Sequence, residues 1–370
     1  MRILVAPDKF KGSLGAAEVA EEIAAGMQEA LPEAEIIQLP IADGGEGTAR
    51  VISDARGGEW HACNVHDAAG QLVSAQYCTI DSRATAVFEI SQACGLWRIP
   101  AQHRDPVAAS SFGTGEMLLN AARRGVSGII MGLGGSATND GGFGMARALG
   151  FRFFDSDGVE LSGRVSGLLR LDRIEPPDDV ALPTITAAAD VCNPLLGPEG
   201  ATHVFARQKG ASNEEIELLE AALTELAAVV KRDLGADFRS QAGAGAAGGL
   251  GFGSLSFCAA KMRAGFDVVA ELIGLEEAVQ NADVVVTGEG RLDAQTLNGK
   301  APAGIARLAQ RYAKPAHAIV GEFEDLPALR AMFTTINTLT GAEVTTADAV
   351  GRAATLLRRE AQALGEQLRV

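Results

Sequence analysis

Short unbroken apolar runs stand near both ends of this chain, and each is followed at once by charge. Ile3, Leu4, Val5 and Ala6 precede Pro7, Asp8 and Lys9, and Val284, Val285 and Val286 precede Thr287, Gly288 and Glu289. A third run, residues 316–320, follows a segment that reads as a helix opened by Pro302. Apolar runs without alternation suit strands covered by helices on both faces of a parallel sheet. After the first run, Ser13 is a good helix cap, Leu14, Val19, Ile23 and Met27 form a helical stripe, and Leu31-Pro32 stops it. Residues 35–39 then read as a second strand. Strand, helix and strand within about 40 residues make a βαβ unit, whose ligands bind at the carboxyl ends of the strands. The pattern predicts one parallel-sheet domain assembled from both chain ends, residues 1–60 and 260–370.

The middle of the chain has a different texture. Residues 72–80 and 84–90 alternate like neighbouring antiparallel strands. Helices are expected over 113–124, 141–149 and 213–234, with strands over 128–131 and 184–189. This predicts an inserted mixed α/β domain over 61–259, in which 156–179 is polar, glycine-dotted and unassigned. A length of 370 residues with 47% hydrophobic content supports about two domains, each with a core. Acidic residues number 47 against 32 basic ones, a net charge of -15, which argues against nucleic acid or an anionic membrane as partner. Cys63, Cys78, Cys94, Cys192 and Cys258 form no Cys-x-x-Cys pair and read as reduced thiols. With no apolar stretch of membrane-spanning length, and an opening run too short for a signal peptide, a cytoplasmic protein is expected. A homodimer is compatible with this reading.

Several loops carry chemistry. Residues 132–142 hold five glycines, two hydroxyls and a carboxylate between a strand and a helix, which suits either a phosphate cradle or an ordinary glycine turn. Asp8, Lys9, Lys11 and Ser13 follow the first strand and offer cations to an anion, or are a solvated loop. In 43–48, Asp43 and Glu46 flank Gly44, Gly45 and Gly47, fitting magnesium ligation, hydroxyl orientation or a tight turn. At the other strand end, Glu289 and Asp293 can share a magnesium ion through water while Arg291 takes a planar carboxylate. Asp190 ends a strand as base or turn cap, and Lys209 is a further phosphate cation.

Familiar signatures are missing. Gly299-Lys300 is followed by Ala301 and lacks the first Walker glycine, and Gly243, Gly245 and Gly248 match a dinucleotide pattern without the apolar strand it requires. The five histidines have no metal-ligand spacing, and Gly-x-Ser-x-Gly is absent. Three function classes remain: a kinase of small hydroxy acids, a sensor of phosphorylated hydroxy acids, and a nicotinamide-dependent dehydrogenase. Convergent acidic groups favour the kinase, because phosphoryl transfer between two anions needs amides, cations, a metal and a carboxylate base.

Nine segments together resemble the bacterial type I glycerate kinases in order and spacing: 6–8, 10–13, 42–48, 113–116, 132–142, Asp190 with 193–195, 208–211, 243–250 and 287–291. The resemblance implies two α/β domains, one of them flavodoxin-like. It implies phosphorylation of D-glycerate by ATP with magnesium, at the 2-hydroxyl, in a cleft between two domains. With that reaction in view, the loops take the following expected roles. Gly134, Gly135, Ser136, Thr138 and Asn139, with Gly113 and Thr114, would bind ATP. Lys11 and Arg291 would hold the glycerate carboxylate, assisted by Asp8, Ser13, Gly44, Glu46 and Lys209. Asp190 would accept the hydroxyl proton with Asp43 nearby, and Glu289 and Asp293 would ligate the metal. Lys9 stands where the family more often has Ser, Arg207 where Pro is usual, and Gly321-Glu322-Phe323 where Ala-Gly-Ser is usual.

Overall fold

A computed structural model describes residues 1–179, 181–341 and 344–369. Contacts divide the chain into two units, Met1–Asp43, Arg50–Arg56 and Ala264–Val370 in one, Gly44–Ala49 and Gly57–Arg263 in the other. The protein is α/β, with a parallel sheet in the first unit and a mixed sheet in the second.

The first sheet has five parallel strands, in spatial order Glu35–Gln38, Arg2–Val5, Val284–Thr287, Ala316–Val320 and Thr335–Thr338. In chain order these are the second, first, third, fourth and fifth strands, the flavodoxin-like doubly wound arrangement. The uninterrupted apolar runs form its centre: Val284–Thr287 and Ala316–Val320 are buried throughout, whereas the outer strands are half exposed. Ile3, Val5, Val284, Val286 and Ile319 share a core with Val19, Ile23 and Met27 of helix Ala16–Ala30 and Leu356, Leu357 and Leu364 of helix Ala353–Leu368. Successive strand residues point to opposite faces, so buried Leu4 and Val285 face away from that core. Helices Leu275–Asn281 and Ala301–Arg311 contact the same strands and supply the second layer.

The first helix starts later than Ser13 suggests. Gly15 is its cap, and Glu18 accepts a hydrogen bond from the Gly15 amide at 2.8 Å, while the Ser13 hydroxyl donates to the Val350 carbonyl at 2.7 Å. A backbone acceptor brought from a distant helix thus takes the hydroxyl that was expected to cap this one.

The second sheet has six strands, in order Lys261–Arg263, Thr184–Ala188, Gly128–Gly132, Thr85–Glu89, Leu72–Ile80 and Glu59–His66. The first four run parallel, and the last two are added antiparallel. Helix Asn213–Leu234 follows its expected bounds, with Ser212 and Glu215 closing a capping box at its start. The unassigned stretch after 155 contains a short 3-10 helix, Val165–Arg170, and a strand, Arg173–Glu175, paired with Arg152–Phe154. Among the described residues, no helix is long and apolar enough to cross a membrane.

Candidate active site

The order of the parallel sheet reverses between Arg2–Val5 and Val284–Thr287, where loops diverge from neighbouring strand ends and leave a crevice. A cavity of about 380 Å³ opens there in the first unit. Its charged wall comes from the loop after the first strand (Asp8, Lys9, Lys11), from Asp43, from the loop after the third (Glu289, Arg291, Asp293) and from Lys300. Its apolar wall comes from Phe10, Leu339, Ala349, Val350 and Ala353, with Ser13 beside them. One backbone and one side-chain hydrogen bond fix the two loops to each other: the Asp8 amide donates to the Gly288 carbonyl at 2.8 Å, and the Thr287 hydroxyl donates to the Ala6 carbonyl at 2.8 Å. Further along, a Cβ at Gly321 would lie 2.3 Å from the Gly290 carbonyl oxygen, so glycine there permits a close backbone approach.

Charge is unevenly distributed in this cavity. Burial, reinforced by the neighbouring Asp43 charge, pushes the Asp8 carboxyl up to about 7 against the opposing pull of Lys9 and Lys300. Glu289 is likewise pushed up to about 7, chiefly by burial, although the Thr296 hydroxyl donates to its Oε1 at 2.6 Å. Lys9 lies 3.9 Å from Asp43 Oδ1, and Arg291 lies 3.5 Å from Asp293 Oδ2 and 3.7 Å from Glu322 Oε2. Lys300 Nζ stands 3.9 Å from both Glu289 Oε2 and Asp293 Oδ1. An ammonium therefore stands beside both carboxylates that were expected to share a magnesium ion. Among the described residues, no group of three or more His, Cys, Asp or Glu side chains is arranged to hold a metal. The donor set does not fit a resident ion held between Glu289 and Asp293.

Lys300 stands outside the expected site residues, because the Gly299-Lys300 pair completes no Walker motif. The signal that would have found it is a lysine immediately before a proline-opened helix, a few residues beyond an acidic strand-end loop. Its position as the N-cap of helix Ala301–Arg311 aims it back toward those strand ends.

In the second unit the glycine loop after Gly128–Gly132 packs closely on the turn at Gly44 and Gly45. A Cβ at Gly132 would fall 2.4 Å from the Gly44 carbonyl oxygen, and one at Gly134 would fall 2.5 Å from Gly45 Cα. Gly132 and Gly134 thus admit the neighbouring turn at close backbone approach. The polar side chains of the loop are turned inward. Thr138 and Asn139 are fully buried, with the Thr138 hydroxyl 2.7 Å from Ser136 Oγ and the Asn139 amide donating to Thr202 Oγ1 at 3.1 Å. Asp140 accepts from the Ser111 amide and hydroxyl and the Gly142 and Gly144 amides, joining the starts of helices Phe112–Arg123 and Phe143–Ala148. Lys209 is also buried, which lowers its ammonium to about 8, and it donates to the Thr138 carbonyl at 2.6 Å. Thr138, Asn139 and Lys209, expected to reach a ligand, make hydrogen bonds within the unit, to Ser136, Thr202 and the Thr138 carbonyl respectively. Gly134 is half-buried, and only Gly135 of the expected nucleotide-contacting set is exposed.

Gly113 and Thr114 are likewise buried inside helix Phe112–Arg123. A Cβ at Gly113 would lie 1.8 Å from the His66 carbonyl oxygen, so helix packing accounts for that glycine. Gly44 is buried and Glu46 exposed in the turn that follows Asp43. Asp190 lies just past strand Thr184–Ala188 and is half-buried. The Gly-x-Gly-x-x-Gly match runs from Gly243 through the cap Gly245 into a kinked helix, Ala246–Cys258, where Gly248 packs onto the Thr138 carbonyl. Without a preceding strand it offers no dinucleotide turn.

The model of the glycerate kinase family matches residues 3–369. Glycerate 2-kinase of Escherichia coli is 42% identical over 329 residues, 88% of this chain and 86% of that protein. Glycerate kinase of Haemophilus influenzae is 41% identical over 324 residues, covering 87% and 86% respectively. A crystal structure described as a glycerate kinase 2 of Salmonella typhimurium LT2 superposes with a TM-score of 0.86 at 40% identity, covering 100% of this chain and 98% of that one. A family match over nearly every residue, borne by relatives at this identity and by the same fold, places the chain in the glycerate kinase family.

Proposed function

We propose that the protein transfers the γ-phosphoryl group of ATP to the 2-hydroxyl of D-glycerate, giving 2-phosphoglycerate and ADP. The observation that carries this reading is the switch-point cavity, which combines cations able to hold a small carboxylate with buried carboxylates able to handle a hydroxyl proton, in a chain of this family. Lys11 and the exposed guanidinium of Arg291 take the glycerate carboxylate, Arg291 through two parallel hydrogen bonds. The acidic lining and the neighbouring Lys9 and Lys300 orient the hydroxyl, so the reaction gains chiefly from positioning and charge neutralisation. Backbone amides at Gly134 and Gly135 are the part of the glycine loop assigned to phosphate. Magnesium, brought in with ATP, would neutralise phosphate charge during the transfer.

The test is direct. Purified protein with ATP, magnesium and D-glycerate should release ADP in step with phosphoglycerate, and phosphorus NMR should place the new ester at carbon 2. Binding of glycerate without ADP release would replace the kinase reading with a sensor, and a 3-phosphoglycerate product would overturn the regiochemistry.

A further inference from the structure

We propose that Asp8 Oδ2 receives the 2-hydroxyl proton of glycerate during phosphoryl transfer, an inference that rests on the glycerate kinase reading above. Five carboxylates line the cavity: Asp8, Asp43, Glu289, Asp293 and Glu322. Four are engaged by cations or hydroxyls. Asp43 faces Lys9, Glu289 is held by Thr296 and Lys300, Asp293 stands between Lys300 and Arg291, and Glu322 accepts from the Thr346 hydroxyl and faces Arg291. Asp8 makes no ion pair among the described residues. Its Oδ1 accepts the Lys9 amide at 2.6 Å, and its Oδ2 accepts no hydrogen bond among the described residues.

Position supports the same assignment. Asp8 follows the central strand Arg2–Val5, and its own amide is tied to the Gly288 carbonyl, so the carboxylate stands on rigid backbone at the switch point. The charged groups around it are Asp43, Lys9 and Lys11, Glu289, Arg291 and Asp293 of the loop after Val284–Thr287, and Lys300 of the following helix. Burial together with Asp43 makes Asp8 basic enough to take a proton near neutrality. In the step, a bond forms between the glycerate 2-oxygen and the γ-phosphorus. The bond from that phosphorus to the bridging oxygen breaks, ADP keeps its electron pair, and the hydroxyl proton passes to Asp8 Oδ2. Water removes that proton after the product leaves.

The experiment compares the full-length protein with Asp8→Asn and Asp8→Glu. Asparagine can still accept the Lys9 amide, and circular dichroism confirms that each variant is folded. The wild-type kcat/KM for glycerate should fall about tenfold per unit below pH ~7, as expected for a base titrating there. Asp8→Asn should lose at least ~10² in kcat, with little change in the KM for ATP and no acidic limb, while Asp8→Glu restores part of the rate with the limb displaced. Wild-type turnover with a folded Asp8→Asn that works within about threefold of it, or keeps the acidic limb, overturns the inference alone. An acidic limb that disappears in Asp190→Asn or Glu289→Gln instead also overturns it. Wild-type protein that makes no phosphoglycerate overturns the underlying reading, and the inference with it.

Discussion

Glu289 illustrates how one buried carboxyl links chemistry to stability. Its ordinary value near 4.5 is raised to about 7 in the fold, so the folded state holds the proton more tightly than the unfolded chain between those values. Stability from this group is fully present below pH ~4.5 and is lost as pH rises through about 7. Glu289→Gln keeps an oxygen for the Thr296 hydroxyl while removing the titration. Relative to wild type, that variant should gain stability between pH 5 and pH 8 by roughly 2 kcal/mol, read from denaturant unfolding at both pH values. A variant that instead loses stability relative to wild type over that interval would mean the Lys300 pairing outweighs desolvation. Asp8 and Glu289 were legible as site candidates because they closely follow unbroken apolar strands, and Asp43 and Asp293 because their loops at strand ends combine charge with glycine. The inward hydrogen bonds of Thr138, Asn139 and Asp140 were not legible, because a polar side chain in a glycine loop closes the loop as readily as it contacts a ligand. Only burial distinguishes the two.

Elements defined by a long period were read well, and those defined by tertiary contact were not. The helix Asn213–Leu234 shows a capping box at its start, a long apolar stripe and Gly235 past its end, each a local signal. The crossing of helices Ala16–Ala30 and Ala353–Leu368 leaves no such mark, since the residues that permit it are more than 300 positions apart. Gly26 is the tightest point: a Cβ there would lie 2.2 Å from the Arg358 carbonyl oxygen and 2.9 Å from Ala361 Cβ. Gly365 repeats the device against Ala30 Cβ at 2.6 Å. Backbone on one side of the Gly26 contact cannot yield as a flexible side chain would. Gly26→Val should therefore destabilise the protein by about 3 kcal/mol, at the upper end of overpacking costs, with a lowered thermal midpoint. A midpoint unchanged from wild type would show that the helices can separate without loss. The kink in Ala246–Cys258 was hidden for a related reason, because its left-handed residues answer to the Thr138 loop packed against them.

At the scale of the molecule, pairing order was the least legible property. Apolar runs announce strands, but nothing local states that Arg2–Val5 pairs with both Glu35–Gln38 and Val284–Thr287. That pairing has a consequence for autonomy. Neither residues 1–56 nor 264–370 contain a complete core for the five-stranded sheet, because Ile3 and Val5 share one core with Val284, Val286 and Ile319. Residues 57–263 instead contain all six strands of the second sheet, and their core gathers residues from Cys63 to Met262. The turn at Gly44 and Gly45, packed against Gly132 and Gly134, is the one piece of that unit left behind by such a cut. Expressed alone, residues 57–263 should fold, giving mixed α/β circular dichroism and a cooperative denaturant transition at lower stability than in the whole chain. Residues 264–370 alone should show no cooperative transition, since their central strand Val284–Thr287 would expose an unpaired edge where Arg2–Val5 belongs. Adding a separate 1–56 fragment should restore structure only when both pieces are present, at a midpoint that depends on concentration. A cooperative transition from 264–370 by itself would show that the chain ends are two folding units.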